Sequence, residues 1–441
     1  MKVKRQAGTS AITVVAKGLP DGVVIPPIVV PEGADSAGFT IVASATAKQG
    51  DYAIDFEGKT SAGGLGNQNV PLLVRGAPGT LDRTFGSDGL YASELGDVEG
   101  AVLSSLSEQA DGKILAAGGI LDSSKAALVR LREDGKLDVG FANKGVFVDD
   151  QEAADPFSDF TGVLAAQGVI WLAGRQRTSA NVVLLRLNGL SGAHDLTFGM
   201  VGRRMLEAGR LSSALAAGPN ATLYLLVRPT AGSVCTLERL LSTGEPDPSF
   251  GSNGSVSAGC SPRFSVTNKG GVVMAYNAGT SAAAVTHYPA TGAPKTFFSN
   301  DLASSTSATM LSDGRVVAAF NPGAAVDQVV RYKSDVETKD DSFQPNVQLQ
   351  GQKTVRILPQ TDGRTIFVSE GTTQIAIDRR LQAGGPDPDF GPAGVRMTAY
   401  GEVTLPTDAF VDRRGRLVVG GTSRIPGGSN KREFVVFRYW L

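Results

Sequence analysis

A cluster of the form Asp-x-x-Phe returns along most of this chain at a spacing that no single packed core requires. It stands first within Leu81-Asp82-Arg83-Thr84-Phe85-Gly86. It returns at Asp138 to Phe141, Asp195 to Phe198, Asp247 to Phe250, Asp340 to Phe343 and Asp387 to Phe390. Lys295 to Phe298 reads as a degraded seventh copy. Successive phenylalanines fall 45 to 57 residues apart, and a period near fifty is the length of one blade of a β-propeller.

Two more elements recur between the clusters. One is a turn followed by a continuously apolar strand, clearest in Asp111-Gly112-Lys113-Ile114-Leu115-Ala116-Ala117-Gly118, with counterparts starting at Val169, Thr222, Gly271, Arg315, Arg364 and Arg416. An unbroken apolar run fits a strand covered on both faces, here by neighbouring blades. Asp-Gly at 111–112, 313–314 and 362–363 predicts two-residue type I′ hairpin turns. The other element is a strand carrying an arginine: Arg130, Arg186, Arg239, Arg331, Arg379 and Arg438. In the first five of these the arginine precedes an aspartate by eight or nine residues: Asp138, Asp195, Asp247, Asp340 and Asp387. The repeat with Lys295 for aspartate has His287 for arginine, a joint loss that a paired Arg and Asp would produce.

The order of elements predicts how the ring closes. The first cluster has no strands of its own before it, and the last repeat ends at Tyr439-Trp440-Leu441 with no cluster after it. The strand near Leu90 to Leu95 is therefore expected to complete the sheet containing Phe434 to Tyr439, leaving no unpaired edge. Arg438 would then reach Asp82. The expected fold is all-β: a seven-bladed β-propeller over residues 77–441, preceded over residues 1–76 by a small β-sandwich. In the latter, Ala11 to Lys17, Gly38 to Ala47, Gly50 to Gly58 and Asn69 to Arg75 read as strands. Gly63-Gly64-Leu65-Gly66 reads as a loop, and Gly76-Ala77-Pro78-Gly79 as the linker.

Taken together, Leu-Asp-x-x-Phe-Gly, Asp-Gly-Lys-Ile-Leu-Ala-Ala-Gly and Leu-Val-Arg-Leu resemble the bacterial delta-sixty β-propeller repeat over residues 79 to 441. Gly18-Leu19-Pro20-Asp21-Gly22-Val23 with Gly50-Asp51-Tyr52-Ala53-Ile54 resembles the immunoglobulin-like modules of bacterial surface proteins, here lacking an opening strand. The resemblance implies export and an association with the cell surface and adhesion. It implies no catalytic residues.

Composition narrows the function. Lysine plus arginine number 42 against 43 aspartate plus glutamate, so no net field draws the chain to nucleic acid. No segment approaches eighteen uninterrupted apolar residues, the length a transmembrane helix needs. Met1-Lys2-Val3-Lys4-Arg5 imitates a signal n-region without an apolar stretch behind it, so any export signal is expected upstream of Met1. The two histidines, His194 and His287, lack metal-ligand spacing, and no Gly-x-Ser-x-Gly occurs. A residue pair repeated in almost every blade serves the blade, whereas a catalytic set is unique. Catalytic, cofactor and metal sites are accordingly expected to be absent.

Asp149-Asp150-Gln151-Glu152 and Asp155 form an acidic loop that reads as solvated, with weak calcium binding as the alternative. Arg203-Arg204, Arg413-Arg414 and Lys431-Arg432 read as charged blade edges. Cys235 and Cys260 flank the Asp247 to Phe250 turn and are expected to form a cross-strand disulfide worth roughly 3 to 3.5 kcal/mol. Such a bond persists outside a reducing cytosol. The expected function is an exported or outer-membrane-surface binding or scaffolding protein. It would act as a monomer and present propeller loops to a protein or polysaccharide. The alternative is a propeller lyase or glycosidase with carboxylates at the central channel.

Overall fold

The computed structural model describes the chain except residues 1, 5–9, 96–99, 122, 150–156, 180, 208–209, 230–233, 262, 278–282, 292, 300–303, 322–326, 335–337, 344–346 and 426–430. It divides into two compact units, Met1–Ala77 with Asp82–Thr84, and Pro78–Leu81 with Phe85–Leu441.

In the smaller unit, β1 (Ile12–Lys17) pairs antiparallel with β3 (Ile28–Val30) and β5 (Gly50–Thr60), and β5 pairs with β6 (Gly63–Val74); β2 (Val23–Val24) and β4 (Val42–Ala43) form a separate two-stranded sheet. Burial alternates along β1, placing Ile12 and Val14 inward, as a strand with one covered face requires. They meet Ile25, Ile28, Val30, Ile54 and Phe56 in one core. Two expectations change here. Gly38 to Ala47 is strand only at Val42 and Ala43, both exposed, because no apolar face there is covered. Residues 63–66 begin β6 instead of forming a loop: Gly63 and Gly66, both at positive φ, follow the turn and enter the β5 ladder opposite Thr60 and Gly58.

The larger unit holds, among the described residues, seven four-stranded antiparallel sheets. Six are built from consecutive chain, spanning residues 101–148, 157–207, 210–259, 264–299, 304–348 and 352–398. The seventh joins three strands within 403–439 to β7 (Leu90–Ser93). β7 pairs with Arg432–Tyr439 in the register Leu90 to Phe437 and Ser93 to Phe434, so the expected closure by both ends of this unit is present. The first strand of each sheet contacts the first strand of the next, and Val403–Val411 of the seventh returns to Ala101–Glu108 of the first.

The second strands, such as Ile114–Ile120 and Thr365–Glu370, are buried along nearly their whole length. Each apolar cluster of this unit draws on two adjacent sheets. Leu115, Ala117 and Leu128 of the first sheet meet Phe157, Val163 and Leu172 of the second, and Val418 and Val436 of the seventh meet Leu103 and Ile114 of the first. The core is thus a closed series of inter-sheet layers, which accounts for the continuous apolar runs.

The Asp-Gly turns have a different geometry from that expected. Gly112 N donates to Gln109 O at 3.0 Å and Gln109 N to Lys113 O at 2.8 Å. Only Gly112, at φ 83°, is left-handed, and Asp111 is not. This is a three-residue loop, a type I turn closed by a left-handed glycine. Asp111 Oδ1 accepts from Lys113 N, and Asp313 and Asp362 do the same for Arg315 and Arg364. The aspartate therefore braces the turn from the right-handed region and has no need of positive φ.

The degraded seventh cluster is also corrected. Lys295 to Phe298 lies in the outer strand Lys295–Ser299 of the fourth sheet, with Lys295 opposite His287. Without an aspartate to cap a turn, the chain runs straight back as a hairpin.

Candidate functional site

The recurring arginine, aspartate and phenylalanine meet in five sheets. Arg130–Asp138, Arg186–Asp195, Arg239–Asp247 and Arg331–Asp340 are ion pairs at 2.8 Å and Arg379–Asp387 at 2.7 Å. Each guanidinium also lies over the cluster's phenylalanine, from 4.1 Å for Arg130 on Phe141 to 4.8 Å for Arg239 on Phe250. Each aspartate accepts from the backbone two residues on, as Asp247 does from Ser249 N at 3.0 Å, the short Asx turn its side chain favours. Several arginines extend to the neighbouring sheet's turn: Arg130 to Gly189 and Leu190 carbonyls, Arg239 to Ala290, Arg331 to Gln382. One side chain therefore fixes a turn, covers a ring and ties two sheets. Arg438 lies 4.5 Å over Phe85 and donates to Glu133 O, while Asp82 accepts from Thr84.

Of the remaining sequence candidates, His194 Nδ1 lies 3.0 Å from Val201 O, in a turn against Phe147. His287, facing Lys295 across its sheet, is pushed down by burial and by that charge. Asp149 is fully buried, bonded to Arg203 and to Phe157 N. It is a structural anchor and not a solvated loop residue; the rest of the acidic loop, residues 150–155, lies outside those described. The basic pairs are likewise more than charged edges. Arg204 binds Glu245 at 2.7 Å, Arg413 binds Glu108 at 3.1 Å, Arg414 binds Glu133 at 2.7 Å and Lys431 binds Glu94.

Sequence reasoning missed the feature with the most chemical content. A cavity of about 500 Å³ opens where the first strands of the first, second, sixth and seventh sheets converge. It is lined by Leu103, Thr161, Val355 and Pro406 among others, together with the Cys235–Cys260 disulfide. The disulfide joins residues 25 apart in sequence with Cα atoms 5.0 Å apart, as the fold-back about the Asp247 turn predicts. Cys235 sits on Val234–Leu240 and Cys260 just beyond Ser255–Gly259.

Three residues on, Arg263 enters the cavity. The first strand of the fourth sheet, Phe264–Val266, has three residues where that of the first sheet has eight. Arg263, just before it, lies outside the ladder and reaches across to the Ser104 and Thr407 carbonyls, the latter at 2.7 Å. Beneath lies Asp408, buried, accepting from Leu106 N at 2.8 Å and Ser105 Oγ at 3.2 Å and paired with Arg356 at 2.7 Å. Burial pushes the Asp408 carboxyl up, but Arg356 and Arg263 outweigh it and hold the group below its ordinary range. Arg263 is pushed down by burial and by Arg356 against the pull of Asp408.

At the rim Lys353 binds Glu370 at 2.6 Å. Its backbone is left-handed at φ 47°, a costly conformation for a side-chain-bearing residue. The buried Asp327 carboxylate sustains it by accepting from Lys353 N at 3.1 Å and Thr354 N at 2.6 Å. The signal in the sequence was the Cys260-Ser261-Pro262-Arg263 run, standing where other repeats have alternating strand residues.

The smaller unit has its own cavity of about 450 Å³, lined by Ile25, Phe39, Ile41, Ile54 and Phe56 with Lys2 and Gln68. No helix is long and apolar enough to cross a membrane, and no cluster of metal-ligating side chains occurs among the described residues.

Residues 109–141, from the first Asp-Gly turn to Phe141, match a family described as a β-propeller domain of unknown function, DUF5122. No curated protein matches the chain. Among solved structures it is similar to YCF48 bound to D1 peptide, at 12% identity and TM-score 0.48, over 83% of this chain and 99% of that one. A protein from Lactobacillus plantarum aligns at 11% identity and TM-score 0.43, over 90% and 97%. A quinoprotein alcohol dehydrogenase-like protein from Bacteroides thetaiotaomicron aligns at 12% identity and TM-score 0.38, over 97% and 91%. With its closed series of four-stranded sheets and the matched segment within the first of them, the chain is a β-propeller protein.

Proposed function

We propose that the chain is an exported or cell-surface binding and scaffolding protein, not an enzyme. Its propeller would have seven blades and present the face carrying the Arg263 cavity to a partner, with residues 1–76 serving as an immunoglobulin-like spacer or docking arm. The observation that carries the reading is the cavity's chemistry. Apolar walls and a few fixed polar groups are what a recognition site needs, and Glu370, the single carboxylate among the described lining residues, is held by Lys353. A pair of carboxylates facing a substrate would instead favour the lyase or glycosidase alternative. The Cys235–Cys260 bond supports an oxidising compartment.

The test is to screen the full chain on glycan and peptide arrays beside Thr161→Trp, which fills the cavity. Specific capture that the tryptophan abolishes is expected. Capture indifferent to the substitution would overturn the assignment of this face, and breakdown of an arrayed glycan would favour the enzyme.

A further inference from the structure

We propose that the Arg263 cavity is an anion site that receives a carboxylate side chain of an acidic peptide. The inference rests on the binding reading above and names its ligand chemistry. Among the described residues three cations line the cavity, Arg228, Arg263 and Lys353, against the one carboxylate of Glu370. Lys353 and Glu370 neutralise each other. Arg228, exposed at the end of Leu223–Pro229, has no ion-pair partner among the described residues.

Arg263 is the more telling group. Its Nη2 is fixed by two carbonyl oxygens, while Nε and Nη1 donate to no group among the described residues. A guanidinium is a planar fork suited to bidentate carboxylate recognition. Here one tine is anchored and the residue lines the cavity, so its orientation is set before any ligand arrives. The disulfide three residues upstream limits the freedom of the segment that carries it. The charge balance beneath points the same way. Asp408 is already committed to Arg356, Ser105 and Leu106, leaving two guanidinium groups over one carboxylate, a surplus that a bound anion would offset.

The walls decide between anionic ligands. Val102, Leu103, Val355 and Pro406 supply apolar contact, and no lining residue among those described is aromatic. A sugar ring binds best where a flat aromatic face meets its C–H groups; a peptide side chain with an aliphatic stem and a carboxylate head matches aliphatic walls ending in a guanidinium.

The experiment is a fluorescence-anisotropy titration of labelled hexaglutamate against hexaglutamine with the full chain. Hexaglutamate should bind, and weaken as salt is raised; hexaglutamine should not. Arg228→Gln and Arg263→Lys should each weaken binding by about tenfold or more, the scale of one charge-assisted hydrogen bond, with circular dichroism and melting temperature unchanged for Arg228→Gln. Equal binding of the two peptides, or wild-type affinity in a folded Arg228→Gln, would overturn the proposal. Tighter competition by an oligogalacturonate than by unlabelled hexaglutamate would overturn the choice of a peptide. Array capture sensitive to Thr161→Trp but no hexaglutamate binding would remove the anion site alone; loss of both would remove the binding reading itself.

Discussion

Arg379 and Asp387 retain 2% and 1% of their side-chain exposure, so neither charge has water to fall back on if the other is removed. Replacing Asp387 with Ala strands a guanidinium between Phe390 and the sheet, and the expected loss is about 3 to 5 kcal/mol in urea unfolding. The exposed pair Lys17–Glu57 gives the contrast: Lys17→Ala should change stability by no more than about 1 kcal/mol. Acid should expose the same device. Hydrogen bonds from Thr197 and Ser342 hydroxyls are the main cause holding Asp195 and Asp340 below the ordinary carboxylate range. At Asp247, desolvation pushes upward and is outweighed by Ser249 and Arg239. Depressed folded values mean stabilisation that is complete above the unfolded carboxylate pKa of about 4 and is lost as pH falls through the folded values. The urea midpoint should hold from pH 7 to 5 and drop below 4, with a shallower drop in Asp340→Asn. These pairs were legible in the sequence because a repeated contact repeats its residues. Arg263 was not, since its role depends on a strand that is shorter than its counterparts, which no single residue announces.

At the scale of elements, the apolar second strands, their preceding hairpins and the arginine-bearing third strands all lie where the periodicity placed them. The reason is that burial between two sheets leaves little choice of residue. Turn types were less legible: Asp-Gly is compatible with two hairpin geometries, and hydrogen bonding to Gln109 selects the longer one. The same ambiguity misplaced Gly63 to Gly66, whose glycines read as a loop although they enter a ladder. The Cys235–Cys260 bond ties an outer pair of strands in the third sheet to the segment leading to Arg263. Titration of the denatured, unreduced protein should find no free thiols, and the double Cys→Ala variant should lose about 3 kcal/mol.

For the molecule as a whole, the closed series of sheets rests on one four-residue strand. Removing residues 432–441 should leave β7 without its ladder partner and take Phe434 and Val436 from the cluster that holds the first sheet's Leu103 and Ile114, giving a chain that unfolds without a single cooperative transition and binds a hydrophobic dye. A cooperative truncated protein would show that the remaining sheets stand without the seventh. Closure itself could be read from where the repeat begins and stops. The cavity could not, because it is assembled from first strands far apart in sequence, each unremarkable by itself.

That closure also sets a timetable. Synthesis delivers residues 90–93 well before residues 434–437, their partners in the ladder, an interval on the order of half a minute at ordinary elongation rates. Throughout it a nascent chain carries a strand whose only proper mate does not yet exist, beside finished sheets with nothing to seal them. A brief, four-residue strand is a poor template for the wrong neighbour, so its shortness protects the waiting polypeptide. The final sheet then acts as a latch, and misassembly should concentrate in chains whose synthesis stalls before it arrives.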